Sequence, residues 1–194
     1  MRNHFDFYTY IEVMLPQRQW RLACNMFNQT IIRVGIRYGV LCSLACFVLV
    51  LVLYFVGYNP FGDMGRLTYL PIPVFIFVAI RYFKLFHEGE IGFGRGLRVG
   101  LSVAFYTALT TAMLVFLFVY IAGPEVVQQH VAEMKALLEA TRQEQIKLLG
   151  EKKYKEAYQA MESLTPGMLA ADDFLRRIFV GGIFSLIAAV FFRK

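Results

Sequence analysis

Four runs of apolar positions, divided by turns and by one long polar stretch, organise this chain. Residues 38–58 hold 21 positions without a charge. At about 1.5 Å per residue that run is a helix of about 32 Å, enough to cross a bilayer. Arg33 and Arg37 flank its start, and Asn59-Pro60-Phe61-Gly62-Asp63 closes it with turn residues. The second run has 14 uncharged residues between Arg66 and Arg81. Tyr82, Phe83, Leu85 and Phe86 continue its apolar face, and its arginines can snorkel outward. Pro71 and Pro73 stand near its start, where proline is tolerated. It reads as a short span over 67–86. The third run covers 99–123 and stops at Gly123-Pro124. The fourth has 15 uncharged residues between Arg176-Arg177 and Arg193-Lys194. Phe174 and Leu175 extend it backwards, giving a span over 174–194 that needs snorkelling or local thinning.

The stretch 124–173 has another character. Val127, Val131, Met134 and Leu138 recur at helical spacing, and Tyr154, Tyr158 and Met161 repeat the pattern after Gly150. The spacing predicts two amphipathic helices, about 125–149 and 151–164, bent at Gly150. The first carries three basic and four acidic residues. A membrane-surface helix is usually more basic, so an extramembrane hairpin is expected. Residues 1–32 mix charges with aromatics and contain Pro16. No signal peptide is legible there. Met26 opens a natural-looking start, and translation is expected to begin near it, as a mass measurement of the native protein would show.

Composition sharpens this picture. Of 194 residues, 58% are apolar and only 18% charged, against about 25% charged in an ordinary soluble domain. Mean hydropathy is +0.52. The net charge of +6 sits largely beside the apolar runs, as in a membrane protein's cytoplasmic flanks, so nucleic acid is not an expected partner. The N-terminal arm, the loop between spans two and three and the C-terminus together hold 11 of the 20 basic residues. Both termini are therefore expected in the cytoplasm and the hairpin outside it, although Arg176 and Arg177 oppose that count. Cys24, Cys42 and Cys46 cannot form a disulfide framework. Cys42 and Cys46 share one helix face and read as core or lipid-facing thiols.

Candidate chemistry is sparse. Gly92-Phe93-Gly94-Arg95-Gly96-Leu97-Arg98-Val99-Gly100 invites a phosphate-loop reading but fits neither G-x-G-x-x-G nor a Walker loop. Gly92, Gly96 and Gly100, four residues apart, suit close helix packing, as do Gly181 and Gly182. Arg95 and Arg98 at a helix start are candidates for contact with anionic lipid headgroups. His87-Glu88-Gly89-Glu90 offers too few ligands for zinc. Ser43, Ser102 and Ser185 lie inside apolar runs and are expected to bond neighbouring backbone. Asp172-Asp173 and Arg176-Arg177 read as interfacial ion pairs. The uncharged cores hold no carboxylate or lysine, which speaks against a proton relay or ion-coupled transporter. No catalytic residue, metal or cofactor is expected. Tyr54, Tyr58, Tyr69, Tyr82 and Tyr120 near the run ends read as interface anchors.

The order of these pieces resembles a family of small bacterial inner-membrane proteins known as domain of unknown function 4199. Carrying the likeness are Ile80-Arg81-Tyr82-Phe83, Ile91 through Gly100, Ala122-Gly123-Pro124-Glu125, the polar insert, Thr165-Pro166-Gly167, and Gly181-Gly182-Ile183-Phe184-Ser185-Leu186-Ile187 with its basic end. Weaker likeness reaches back to Met26. The resemblance implies a four-span domain with a helical insert before the last span, and no activity or cofactor. The expected fold is all-α: a polytopic membrane protein of four transmembrane helices with an extramembrane helical hairpin between spans three and four. The expected function is non-enzymatic, as an accessory or assembly subunit acting through helix packing and the hairpin on a protein partner or a second copy. The alternative is a homo-oligomer that binds lipid or conducts a small solute.

Overall fold

The computed structural model describes residues 29–86 and 91–193. Cys24, the start at Met26 and the rest of residues 1–28 lie outside the described residues, as does His87-Glu88-Gly89-Glu90. The described fold is all helical. Helix α1 (Gln29–Val56) is followed by a 3₁₀ segment (Asp63–Tyr69) and α2 (Pro71–Phe86). Helix α3 (Phe93–Ala122) leads into the insert, made of α4 (Pro124–Ala140), α5 (Arg142–Leu149) and α6 (Glu151–Glu162), and α7 (Pro166–Phe191) completes the chain. Four segments are long and apolar enough to cross a membrane: α1, the 3₁₀ segment with α2, α3, and α7. Their outward faces carry large apolar side chains such as Phe55, Ile121 and Val190, fully at home only against lipid.

Helix α3 is the central element. It packs along α1 on one side and α7 on the other, while α2 touches all three. Small residues let the backbones close up, which matters in a membrane because lipid gives no hydrophobic push between helices. Gly100 lies against Ser185, and a Cβ there would stand 2.8 Å from the serine Cβ. Gly181 meets Ala104 in the same way, at 2.5 Å. On the α1 side Gly35 faces Ser102 and Gly39 faces Tyr106, and Thr107 Oγ1 donates to the Gly39 carbonyl at 3.3 Å. Ser43 and Ser185 donate to the Val40 and Gly181 carbonyls. Cys42 and Cys46 are fully buried.

Element boundaries differ from the sequence expectation in three instructive ways. Helix α7 begins at Pro166, ahead of the span expected over 174–194 and at the helix-start signal that Thr165-Pro166 presents in the sequence: Thr165 Oγ1 accepts from Met168 N–H at 3.3 Å, and Pro166 fills the first position. Helix α3 begins at Phe93, so the glycine run lies on the helix, with Gly92 as its N-cap. The expected helix over 125–149 is broken at Thr141, whose Oγ1 bonds back to the Leu137 carbonyl at 2.9 Å and bends the chain. Gly150 and Gly123 do terminate helices, both at positive φ (83° and 91°), a conformation that favours glycine.

Candidate functional site

The densest polar constellation lies where the 59–70 connection, the start of α7 and helix α4 converge. Its core is Arg177, a fully charged side chain only 1% exposed. Arg177 Nε donates to Asp173 Oδ2 at 2.7 Å, and its two terminal nitrogens donate to the Thr68 carbonyl and Thr68 Oγ1 at 3.4 and 3.3 Å. The guanidinium stands 4.9 Å from the Tyr69 ring centroid. Thr68 Oγ1 is itself fixed by donating to the Gly65 carbonyl at 2.7 Å. The 3₁₀ geometry of Asp63–Tyr69 makes this possible by presenting a carbonyl and a hydroxyl of the same residue inward.

This corrects the sequence reading of the aspartate–arginine pairs. Asp172–Arg176 is half-exposed at 2.7 Å, as an interfacial pair should be. Asp173–Arg177 is buried in the bundle, with side chains 8% and 1% exposed. Neighbouring residues on a helix point about 100° apart, so one pair faces outward and the other faces α1 and the 3₁₀ segment. Helix α7 therefore carries a buried carboxylate ahead of its uncharged core 178–192. Burial of this kind is expensive and survives only with near-complete hydrogen bonding, which Thr68 supplies.

A second polar knot fastens the insert to the bundle. Asn59 is 5% exposed and His130 6%. Asn59 Oδ1 accepts from Phe61 N–H at 3.0 Å, an Asx turn that shapes the loop after α1. Its Nδ2 lies 3.2 Å from His130 Nδ1 and donates to Glu133 Oε2 at 2.8 Å. The His130 ring meets Phe61 edge-on at 6.1 Å. Burial holds the His130 pKa below its ordinary 6.5, opposed by the nearby Glu133 carboxylate. Neutral His130 thus accepts the Asn59 amide proton at Nδ1. Below this knot Val126 and Val127 pack on Val115, Val119, Leu169 and Ala170. Helix α6 returns beside α4, with Lys135 Nζ 4.7 Å from the Tyr158 ring centroid.

Between the two knots lies a cleft of about 190 Å³. The loop side contributes Phe61, Asp63 and Arg66; α4 contributes His130 and Met134; α7 contributes Leu169, Asp172, Asp173 and Arg176. Asp63 and Arg66 pair at 2.8 Å on the rim. Among the described residues no group of three or more His, Cys, Asp or Glu could hold a metal ion.

The residues singled out from sequence fall elsewhere. Gly96 lies 3.5 Å, measured from its ideal Cβ, from Ala189, and Gly96, Gly100 and Gly181 share the α3–α7 contact. Gly92 and Gly182 have open space where a side chain would stand. Arg95 and Arg98 are exposed on the first turns of α3, at the end of the bundle away from the cleft. Sequence reasoning missed Thr68 as the partner of Arg177, and the Gly35/Gly39 pair. The latter had a readable signal in its four-residue spacing; the former joins residues 109 positions apart.

No curated protein and no solved structure matches the chain. A family model described as "Protein of unknown function (DUF4199)" matches residues 37–194, the stretch that carries the fold, the insert and both polar knots, and the chain belongs to that family.

Proposed function

We propose that this chain is a non-enzymatic, multi-pass protein of the bacterial cytoplasmic membrane that serves as an accessory or assembly subunit, using its insert to contact a partner protein. The observation that carries this reading is the fastening of α4 to the bundle through Asn59, His130 and Glu133. A tethered insert that was merely a linker would need no such buried knot. Fixed in place, the insert displays Leu148, 84% exposed, to its surroundings. Orientation is supported by the gathering of Arg33, Arg37, Lys84, Arg95, Arg98 and Arg193 at the opposite end, where Lys84 Nζ reaches the Phe192 carbonyl at 3.4 Å. That end is the cytoplasmic one in this reading.

Crosslinking in the native membrane at native expression, followed by mass spectrometry, tests the role. A stoichiometric different protein joined through residues 125–163 is the expected result; crosslinks to this chain alone would overturn it. Orientation is tested with a single cysteine at Gln129, which is exposed, in a chain whose native cysteines are replaced by serine. An impermeant thiol reagent should label it in intact cells. The lipid-binding alternative is favoured by one observation: Arg95 and Arg98 both turn outward while Gly96 and Gly100 face α7. If Arg95→Ala with Arg98→Ala leaves retention of anionic lipid unchanged, that alternative loses its support.

A further inference from the structure

The two sides of α7 meet different surroundings at one depth. Gly100 lies against Ser185 and Gly181 against Ala104, so α3 and α7 run antiparallel. Carried along both helices at equal rise, that register sets Asp172 level with Met113 and Arg176 level with Leu109. The side chains agree. Leu109, Met113 and Leu117 share one groove with Gly167, Ala171 and Phe174, and no charged residue lines it. The Phe105 and Phe174 rings meet at 6.3 Å. On the other side of α7, at the same level, Asp172 and Arg176 line the cleft together with Asp63 and Arg66. Asp172 and Arg176 are half-exposed, and Asp63 and Arg66 more so.

The apolar surface does not end at that level. Helix α3 runs on to Ala122, exposing Phe116, Leu117 and Ile121. Helix α1 keeps pace with it, for the Tyr54 ring meets Phe118 at 5.1 Å and the neighbouring Phe55 is exposed. Ala122 stands about 14 Å beyond Met113 and about 20 Å beyond Leu109. The hydrocarbon layer is about 30 Å thick, so the cleft charges lie about half-way into the layer that α1 and α3 span. The uncharged lengths show the same asymmetry. Helix α3 has 24 uncharged positions over 99–122, about 36 Å, whereas α7 has 15 over 178–192, about 22 Å. Arginine can snorkel on its long stem, but Asp63 and Asp172 cannot, and they hold Arg66 and Arg176 at 2.8 and 2.7 Å. Four exposed charged side chains at this depth are costly in hydrocarbon and call for water. The cleft has room for it: about 190 Å³, where one water needs roughly 15 Å³.

We propose that the cleft is a water-filled recess that enters the bilayer from the insert side and thins it on one face of the molecule, between the 3₁₀ segment and α7, to about half its depth. The groove between α3 and α7, at the same level, stays in hydrocarbon. The surface so formed fits a thinned lipid layer on one flank and a layer of full thickness on the other. This inference rests on the four spans and not on the insert having a protein partner.

The test compares cysteines at one level on opposite sides of α7, in the full-length chain with its native cysteines replaced by serine. Asp172→Cys is set against Met113→Cys, and Arg66→Cys against Leu109→Cys. All four positions are exposed, so the bundle core is left in place. Open membrane fragments are treated with a small cationic methanethiosulfonate that does not enter hydrocarbon. It reaches both membrane surfaces, so the outcome does not depend on which end is cytoplasmic. Each cleft cysteine should react about a hundredfold faster than its counterpart, because only a thiolate in water reacts. Slow reaction at all four positions would mean a dry cleft and overturn the proposal. Fast reaction at all four would mean that the bilayer ends at this level all round, which overturns it equally. Adding Met134→Trp, which fills the cleft, should slow Asp172→Cys about tenfold and leave Met113→Cys as it was. An unchanged rate at Asp172→Cys would show that water does not reach it through the cleft and would likewise overturn the proposal.

Discussion

Removing the Arg177 guanidinium would leave the Asp173 side chain inside the bundle without its partner and strip Thr68 of two donors. Breaking a buried pair from one side costs about 3–5 kcal/mol, while replacing both partners by apolar groups of similar volume is often neutral. Arg177→Met alone should therefore lower stability by about that amount, and Asp173→Leu with Arg177→Met should recover most of it. Unfolding in mild detergent measures both; equal losses in the single and double variants would show that the pair is not what holds this corner. Arg177→Lys should not substitute, since a single ammonium cannot reach Asp173 and both Thr68 oxygens from the positions of a planar fork. The sequence displayed the charges but not their depth. Asp172-Asp173 and Arg176-Arg177 at four-residue spacing look like the edge of a span, and half of that reading is right, for Asp172–Arg176. What decides the other half is Thr68, which reaches Arg177 only once α7 lies beside the 3₁₀ segment. No local pattern encodes a contact across 109 residues.

At the scale of elements, close packing of α3 and α7 separates adjacent glycines. Gly181 faces Ala104 at a Cβ separation of 2.5 Å, while Gly182, about 100° around the helix, has nothing within 4 Å. Gly181→Val should destabilise the chain by about 1–3 kcal/mol through overpacking, and Gly182→Val should stay within about 0.5 kcal/mol of the native chain. Melting of the two variants side by side checks the contrast, and indistinguishable melting temperatures would contradict the observed face. Spacing alone could name glycines that share a face, as with Gly96 and Gly100, but not where a helix starts. Gly92 precedes α3 and so packs on nothing, and of two neighbours at 181 and 182 spacing cannot choose. The four helices long enough to span were legible because each apolar run, extended through its flanking aromatics and arginines, approaches the length a bilayer needs. Boundaries are less legible, because a charge beside an apolar run looks like an end. Arg95 and Arg98 are carried on the outer face of α3, and Asp173 and Arg177 neutralise one another within α7, so both helices run on through their charges.

For the whole molecule, the insert is the part whose placement the sequence could not give. Its apolar stripe was readable, with Val127 buried and Val131, Met134 and Leu138 half-buried. Its attachment was not, because Asn59 looked like an ordinary turn residue and His130 stood alone. The attachment is also the part of the fold most sensitive to acid. Burial holds the His130 pKa below 6.5, with Arg176 acting in the same direction and Glu133 and Asp172 opposing. A histidine lowered in this way binds fewer protons folded than unfolded, so its contribution is complete above pH 6.5 and is lost as pH falls through the folded value. Protonated Nδ1 would point a proton at the Asn59 amide, 3.2 Å away. As pH falls between about 7.5 and 5, amide exchange in α4 should accelerate while the α3–α7 contact remains protected. Asn59→Ala should raise exchange in α4 already at pH 7.5, since it removes the partner of both His130 and Glu133 at a cost of about 1–3 kcal/mol. His130→Gln should flatten the pH response by keeping a neutral hydrogen-bonding group in place. Exchange in α4 that ignores pH in the native chain would mean that the insert is held by its valines alone. A response that persists in His130→Gln would move the titrating group elsewhere.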